Sequence, residues 1–293
     1  MDGVFVIDKA EGWTSHDVVN KVRRIAGTRR VGHLGTLDPI ATGVLPLVAG
    51  RATRLAQFYT RSDKVYEARI RFGYSTDTYD SSGTPTSPVT DPSIGQTELE
   101  QNLERFRGEF LQTPPPVSAK KVDGVRAYQM ARRKVAVELP PVPVTVFELT
   151  LLAVEPPYAV VRARCSGGTY MRSLAHDLGQ AMGCGAHLAA LRRTASGEFT
   201  IEQARTIEQL AQLAADGRLG EALIPAAQVL PAFPAVFVES PLIGQIRQGR
   251  NFPVSPFRVQ AGARYVKAVS REGELIAIGE ARLPNLYHPV VVL

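Results

Sequence analysis

Residues 160–182, VVRARCSGGTYMRSLAHDLGQAM, change period in the middle. From Val160 to Cys165 the side chains alternate as in a half-buried strand. Beyond Gly167 and Gly168, Leu174, Ala175, Leu178 and Met182 recur at helical spacing, so a helix opens near Tyr170 after a tight turn. The alternation is repeated upstream over Val65–Phe72, with Tyr66, Ala68, Ile70 and Phe72 on one face and Glu67, Arg69 and Arg71 on the other. Helices bracket this strand. Thr14 or Ser15 can cap one that carries Val18, Val19, Val22 and Ile25 and ends at Gly27. Thr97 with Glu100 reads as a capping box for a helix over 97–107, closed by Gly108, and Thr206 with Gln209 opens another. Between the first helix and the strand lies a glycine-punctuated loop, Gly32–Gly43 (GHLGTLDPIATG), followed by the apolar run VLPLVAG. Strands and helices that alternate irregularly predict an α/β (α+β) fold, a mixed sheet with helices packed against it.

The chain has 293 residues, close to two average domains of about 150 each. Its last sixty or so residues hold short strand-like pieces, YVKAVS and ELIAIG among them, and predict a small β-rich module behind a proline-rich linker, LPAFPAVFVESP, at 230–241. With 44% hydrophobic and 21% charged residues the chain is neither disordered nor fibrous, and no apolar run approaches the roughly 18 residues of a membrane span. Charges at Asp2, Asp8, Lys9 and Glu11 break any secretory signal, which predicts a cytoplasmic protein. Cys165 and Cys184 are too few and too isolated for a disulfide framework and read as buried thiols. The net charge of +6 favours polyanionic partners, and its distribution is uneven. Asp80–Leu111 has six acidic and two basic residues, whereas Thr113–Glu138 has six basic and two acidic. That second segment begins with three prolines and reads as an extended cationic insertion, with one helical turn near Tyr128.

His16, His33, His176, His187 and His288 are scattered and form no metal-binding pattern. The glycine-rich loop lacks the phosphate and dinucleotide fingerprints, and no GxSxG elbow is present. Within that loop Asp38 precedes Pro39, which restricts its backbone and hence how its carboxylate is presented. Arg172 falls in the first turn of its helix, where a cation meets the positive end of the dipole at about 0.3–1 kcal/mol. A carboxylate partner would compensate, and its ionised form would be held by the guanidinium. On the residues alone, an Asp-Pro turn is the favoured reading of Asp38, and an arginine swung into water is the plain alternative for Arg172.

Five ordered blocks carry more: KAEGWTS, GHLGTLDPIATGVLP, KVYEARIRFGYSTDTYDSSG, PPPVSAKKVDGVRAYQMAR and SGGTYMRSLAHDLG. Together, over roughly residues 4 to 195, they resemble the bacterial tRNA pseudouridine-55 synthases of the TruB type. The resemblance implies a largely antiparallel central sheet crossed by the active cleft. It implies isomerisation of one uridine in the tRNA T loop to pseudouridine, with no cofactor and no metal. Asp38 matches the catalytic aspartate and Arg172 the arginine that pairs with it. His33 falls on a substrate-contacting histidine, Tyr66 on the tyrosine that stacks against the target base, and Tyr170 and Leu191 on further pocket positions. Ala10 stands where the family usually has proline. The terminal module, residues 231–293 after a catalytic domain of 1–230, lies where the family carries a PUA RNA-binding domain.

The implied partner is the T arm of tRNA, met by a monomer. The base must be flipped out of its stack, at a few kcal/mol. The insertion at about 113–138, through Lys120, Lys121, Arg126 and Arg132, would meet backbone phosphates. A carboxylate of ordinary pKa near 3.9 is ionised at neutral pH and can attack or take a proton, whereas the phenol of Tyr66, ordinarily near 10, is a poor unaided base. Attack at C1′, addition at C6 and a glycal route all remain open from the residues. Two other functions compete: an RNA-binding tRNA folding factor in which catalysis is secondary, and a glycosidase pairing Asp38 with Asp77 or Asp80.

Overall fold

The computed structural model describes residues 1–117, 121–122, 125–126, 139–255 and 262–293. Its strands are β1 (Gly3–Lys9), β2 (Val31–His33), β3 (Ala41–Ala49), β4 (Lys64–Phe72), β5 (Gly108–Gln112), β6 (Lys121–Val122), β7 (Val125–Arg126), β8 (Val142–Glu155), β9 (Tyr158–Cys165), β10 (Ala186–Ser196), β11 (Phe199–Thr200), β12 (Leu223–Pro225), β13 (Ala235–Phe237), β14 (Phe252–Pro253), β15 (Tyr265–Val269), β16 (Leu275–Leu283) and β17 (Leu286–Val292). The helices are α1 (Ser15–Ile25), α2 (Gln96–Glu104), α3 (Met171–Ala181), α4 (Ile207–Ala215) and α5 (Leu242–Arg247), with a 3₁₀ segment over Gly50–Tyr59. None of these helices is long and apolar enough to cross a membrane.

The central sheet has ten strands in the order β12-β1-β3-β10-β4-β9-β8-β5, with β2 added to β3 and β11 to β10. Its pairings are antiparallel except that β10 runs parallel to β3. This is the mixed, largely antiparallel sheet expected.

On one face, Phe5, Ile7, Leu45 and Leu47 join Tyr66, Ala68 and Ile70 beneath the apolar sides of α1 to α4, represented by Val18, Leu99, Leu174 and Leu210. On the opposite face, Val4, Val6, Val44 and Val48 pack against Ala52, Leu55 and Tyr59 and against Val269, Leu275, Ile278, Val291 and Leu293 of the terminal sheet. Strand β3 is therefore covered on both sides, which is why it reads as an unbroken apolar run rather than an alternation. Strand β4 shows the alternation because its Glu67 and Arg69 remain exposed.

Helix α1 carries the expected cap: the Thr14 side chain accepts from the Asp17 amide, and the Asp17 carboxylate accepts from the Thr14 amide. Thr206 and Gln209 do the same for α4. Helix α2 departs from expectation. Its N-cap is Gly95 rather than Thr97, because Ile94 and Leu99 bury together across the helix start as a hydrophobic staple that fixes the chain's entry. It ends at Glu104 rather than 107, and Gly108, at φ 80°, begins β5.

The proline-rich 230–241 stretch is not a linker. Its Val236 and Val238 are buried, β13 pairs in parallel with β15, and the Phe233 ring stacks 5.1 Å from Tyr265 and meets Phe58 edge-on at 5.3 Å. Prolines fit there because β13 is an edge strand. The terminal sheet itself has five strands in the order β13-β15-β16-β17-β14.

Candidate active site

The loop from Leu34 to Pro39 is held at four points. Ser15, at the start of α1, donates its hydroxyl to the Leu37 carbonyl at 2.9 Å and accepts from the Leu37 amide at 2.8 Å. Lys9, at the end of β1, donates Nζ to the carbonyls of Trp13 (2.7 Å), Ala10 (2.9 Å) and Pro39 (3.4 Å). Arg193, from β10, donates Nε to Val44 (2.7 Å) and its terminal nitrogens to Thr36 (3.3 Å) and Gly35 (3.1 Å). Arg172, from the first turn of α3, takes the fourth point: its Nε lies 2.9 Å from Oδ2 of Asp38.

Each nitrogen of the Arg172 guanidinium has a partner. It also contacts Oδ2 of Asp80 at 3.5 Å through Nη1 and donates to the carbonyls of Thr78 (3.2 Å) and Val117 (2.9 Å). Two carboxylates thus compensate the unfavourable placement of a cation at a helix start. The Arg172 side chain is 7% exposed and that of Asp80 6%, while the Asp38 carboxylate, at 37%, looks outward into a cavity. Oδ1 of Asp80 in turn accepts from the hydroxyls of Thr78 and Ser82 and from the Ser82 amide.

That cavity has a volume of about 540 Å³, within the usual range of about 300–1,000 Å³ for small-molecule sites. His33, Asp38, Tyr66, Tyr170, Arg172 and Leu191 all line it, so the structure brings together the six pocket residues named from the sequence. Tyr66 and Leu191 come from β4 and β10, and Tyr170 is the N-cap of α3. The Tyr170 backbone is pinned by buried Gln112, whose Oε1 accepts from the Tyr170 amide at 2.8 Å and whose Nε2 donates to its carbonyl at 3.0 Å. Burial pushes the Tyr66 hydroxyl above its ordinary pKa, against the pull of Arg193 beside it, so the phenol stays neutral. Burial, with the Arg193 charge second, pushes His33 down, which favours its neutral form.

Lys120 and Arg132 lie outside the described residues. Lys121 and Arg126 are opposite each other in the β6–β7 pair, and only their backbone is described. The turn near Tyr128 is likewise outside the described residues. Cys165 is buried and its thiol is pushed up to about 11 by burial, and Cys184 is half-buried. The glycosidase pairing finds no geometry: Asp80 is buried and does not line the cavity, and Asp77 accepts the Thr84 amide at 2.8 Å.

Sequence reasoning missed Lys9, Ser15, Lys64, Gln112 and Arg193. A signal was available for Lys64 and Arg193. Alternation puts Lys64 on the face of Tyr66, and Arg193 on that of Leu191, so each is a charge in an inward position. Ser15 and Gln112 act through backbone groups 22 and 58 residues off in the chain, and Lys9 through the carbonyls of Ala10, Trp13 and Pro39, none of which a side-chain pattern marks.

Residues 23–171 match the model of the TruB family pseudouridylate synthase N-terminal domain, and residues 172–231 that of the tRNA pseudouridylate synthase B C-terminal domain. The chain is 67% identical over 293 residues to a tRNA pseudouridine synthase B of Solibacter usitatus, covering all of both chains. It is 43% identical over 238 residues to that of Syntrophotalea carbinolica, covering 81% of this chain and 78% of the other. Among solved structures, a Cbf5-Nop10-Gar1 complex contains a chain that superposes with a TM-score of 0.74 at 26% identity, covering 98% of this chain and 83% of that one.

Proposed function

The chain belongs to the TruB family of pseudouridylate synthases and is an isomerase that makes pseudouridine, and from that premise we propose that it acts on tRNA at uridine 55 of the T loop, with Asp38 as the residue that starts the reaction. The observation that carries this reading is the Asp38–Arg172 pair, 2.9 Å apart on the wall of a nucleoside-sized cavity that Tyr66 also lines.

The reaction breaks the bond from N1 to C1′, turns the uracil, and joins C5 to C1′. Atoms are conserved, so no electron carrier is required. Asp38 is fixed in direction by Arg172 and its backbone by Ser15 and Lys9, so its carboxylate meets substrate without reorganising. Arg172 supplies the positive charge that balances the carboxylate when RNA closes the cavity to water. Tyr66, neutral and buried, offers a face on which the flipped base stacks, replacing part of the stacking lost on leaving the loop. His33, Tyr170 and Leu191 complete the pocket.

In the same proposal residues 1–230 form the catalytic domain and 231–293 a PUA-like RNA-binding module. Lys120, Lys121, Arg126 and Arg132 meet phosphates of the T arm, so affinity falls as salt rises. The protein acts as a cytoplasmic monomer.

The test is to map pseudouridine in unmodified tRNA before and after incubation, with the wild type and with Asp38→Asn. Position 55 alone should convert, and only with the wild type, while RNA affinity stays within about threefold in the variant. Conversion at another position would refute the site, and turnover by Asp38→Asn would remove Asp38 from the mechanism.

A further inference from the structure

Among the described residues the cavity is lined by three cations, Lys64, Arg172 and Arg193, and by one carboxylate, Asp38. Arg172 is matched by Asp38 and Asp80, and Arg193 is engaged by three backbone carbonyls. Lys64 differs from both. Its side chain is buried, the residue being 7% exposed, yet among the described residues its ammonium donates to one carbonyl, that of Ser62. An ammonium has three hydrogens to give, and burying one so incompletely bonded is unfavourable unless something else uses it.

Its position says what. Lys64 and Tyr66 are two residues apart on β4 and point to the same face, so Lys64 flanks the ring on which the base would stack. A side-chain carbon placed on Gly35 would stand 3.7 Å from both the Lys64 Cε and a terminal nitrogen of Arg193, which puts the two cations on one wall. A lysine that contacts RNA phosphates would stand at the rim, in water. This one is buried in the cavity wall, beside Tyr66 and the Arg193 guanidinium.

We propose that Lys64 is a further catalytic residue, the cation that holds the negative charge that develops on uracil during its detachment; this rests on the pseudouridine synthase reading above. When N1–C1′ breaks, its electron pair leaves with the base and C1′ becomes electron-poor. Asp38 either gives C1′ an oxygen electron pair or takes the C2′ proton, which forms a C1′–C2′ double bond. In both cases the base carries one negative charge spread over N1, O2 and O4, and addition of Asp38 at C6 puts the same charge on O4. C5 then bonds to C1′, the C5 proton leaves, N1 takes up a proton, and any proton or bond held by Asp38 is returned. A fixed ammonium beside the base stabilises that charge more than it stabilises the neutral substrate, which is the condition for raising a rate rather than an affinity.

The groups facing Lys64 are Arg193, Cys165 and Asp63, and burial with the Arg193 charge pushes its pKa down to about 8. The Cys165 thiol, at about 11, is neutral there. In the free enzyme Lys64 therefore loses its charge in a measurable range, whereas an arginine in its place would not.

The experiment measures release of tritium from C5 of the target uridine in a T-arm RNA, under single turnover, for the wild type, Lys64→Met and Lys64→Arg, with RNA affinity and melting temperature alongside. Lys64→Met should lower the rate at saturating RNA roughly 100-fold with affinity within about threefold, and Lys64→Arg should recover at least about tenfold of that loss. For the wild type, kcat/KM should fall as pH rises through about 8, and that limb should be absent in Lys64→Arg. A higher KM with unchanged kcat in Lys64→Met would make Lys64 a phosphate contact, and unchanged kinetics would make it a structural peg; either overturns the proposal. Should Lys64→Met fail to fold, the pH limb of Lys64→Arg decides alone. A wild type inactive on this RNA would instead overturn the function on which the proposal rests.

Discussion

Arg172 meets Asp38 through Nε, which stands 2.9 Å from Oδ2, while Nη1 faces Asp80 and the Thr78 carbonyl and Nη2 the Val117 carbonyl. Each nitrogen of the planar fork has a partner, so the carboxylate is aimed by a group that is itself held in place. A lysine places one charge at one point and cannot satisfy Asp38, Asp80 and two carbonyls together. Arg172→Lys should lower the single-turnover rate about 100-fold or more while RNA affinity changes little. Comparable rates in the two proteins would show that aiming by Arg172 is dispensable. Arg172→Met should cost stability as well, about 3 kcal/mol, because it removes the counter-charge of the buried Asp80 carboxylate while leaving the hydrogen bonds to its Oδ1, and urea unfolding measures this.

Lys9 gives a prediction in pH. Burial pushes its pKa down from 10.5 to about 8, with Asp38 pulling the other way. Below about pH 8 both folded and unfolded chains hold the proton, and the burial penalty is fully present. Between about 8 and 10.5 the unfolded chain binds more protons than the folded one, so this residue's contribution to stability rises with pH. Compared with Lys9→Met, the wild type should gain in melting temperature across that window. A difference that is flat with pH would show that burial does not lower the Lys9 pKa.

Gly43 sits where β3 runs beside β10, paired with Arg193. Its φ is 97°, and a side-chain carbon there would come 2.2 Å from the Arg193 carbonyl oxygen. Both the backbone conformation and the space require glycine. Gly43→Ala should destabilise by about 3 kcal/mol or more, measured by denaturant unfolding, and should loosen the Asp38 loop that Arg193 grips. A loss under 1 kcal/mol would contradict the parallel pairing.

The terminal sheet should not be removable. Val269, Leu275, Ile278, Val291 and Leu293 share a core with Val4, Val6, Val44 and Val48 of the central sheet. A joint of polar groups reinforces it: Tyr59 donates to Glu198 at 2.5 Å, the Leu230 amide donates to the same oxygen at 3.0 Å, and Lys267 donates to the carbonyls of Ala227 and Val229. Deleting residues 232–293 should give an aggregating or unfolded product, and Tyr59→Phe should cost about 1–3 kcal/mol. A soluble, cooperatively melting fragment would show that the two sheets fold independently.

What the sequence made legible was local. The period of two in β4 and of 3.6 in α3 each report which face is buried, and the Thr14–Asp17 and Thr206–Gln209 caps involve neighbours in the chain. The start of α2 was misread because Thr97 and Glu100 satisfy a capping pattern, while the entry is set by Ile94 and Leu99, whose shared burial only the fold creates. The prolines at 230–241 were misread for the same reason, since composition does not show that Phe233 meets Phe58. Of the site, the pocket residues were reached by resemblance, and Arg172 also by its awkward place at a helix start. Ser15, Lys9 and Gln112 bond to backbone groups, so side-chain identity carries little trace of what they do.

The core common to both sheets also fixes a length. Because the two sheets bury the same side chains, changing the span from the terminal sheet to the Asp38 carboxylate would mean opening that core. An RNA touching both ends must itself supply whatever bending is needed to seat a nucleoside between them.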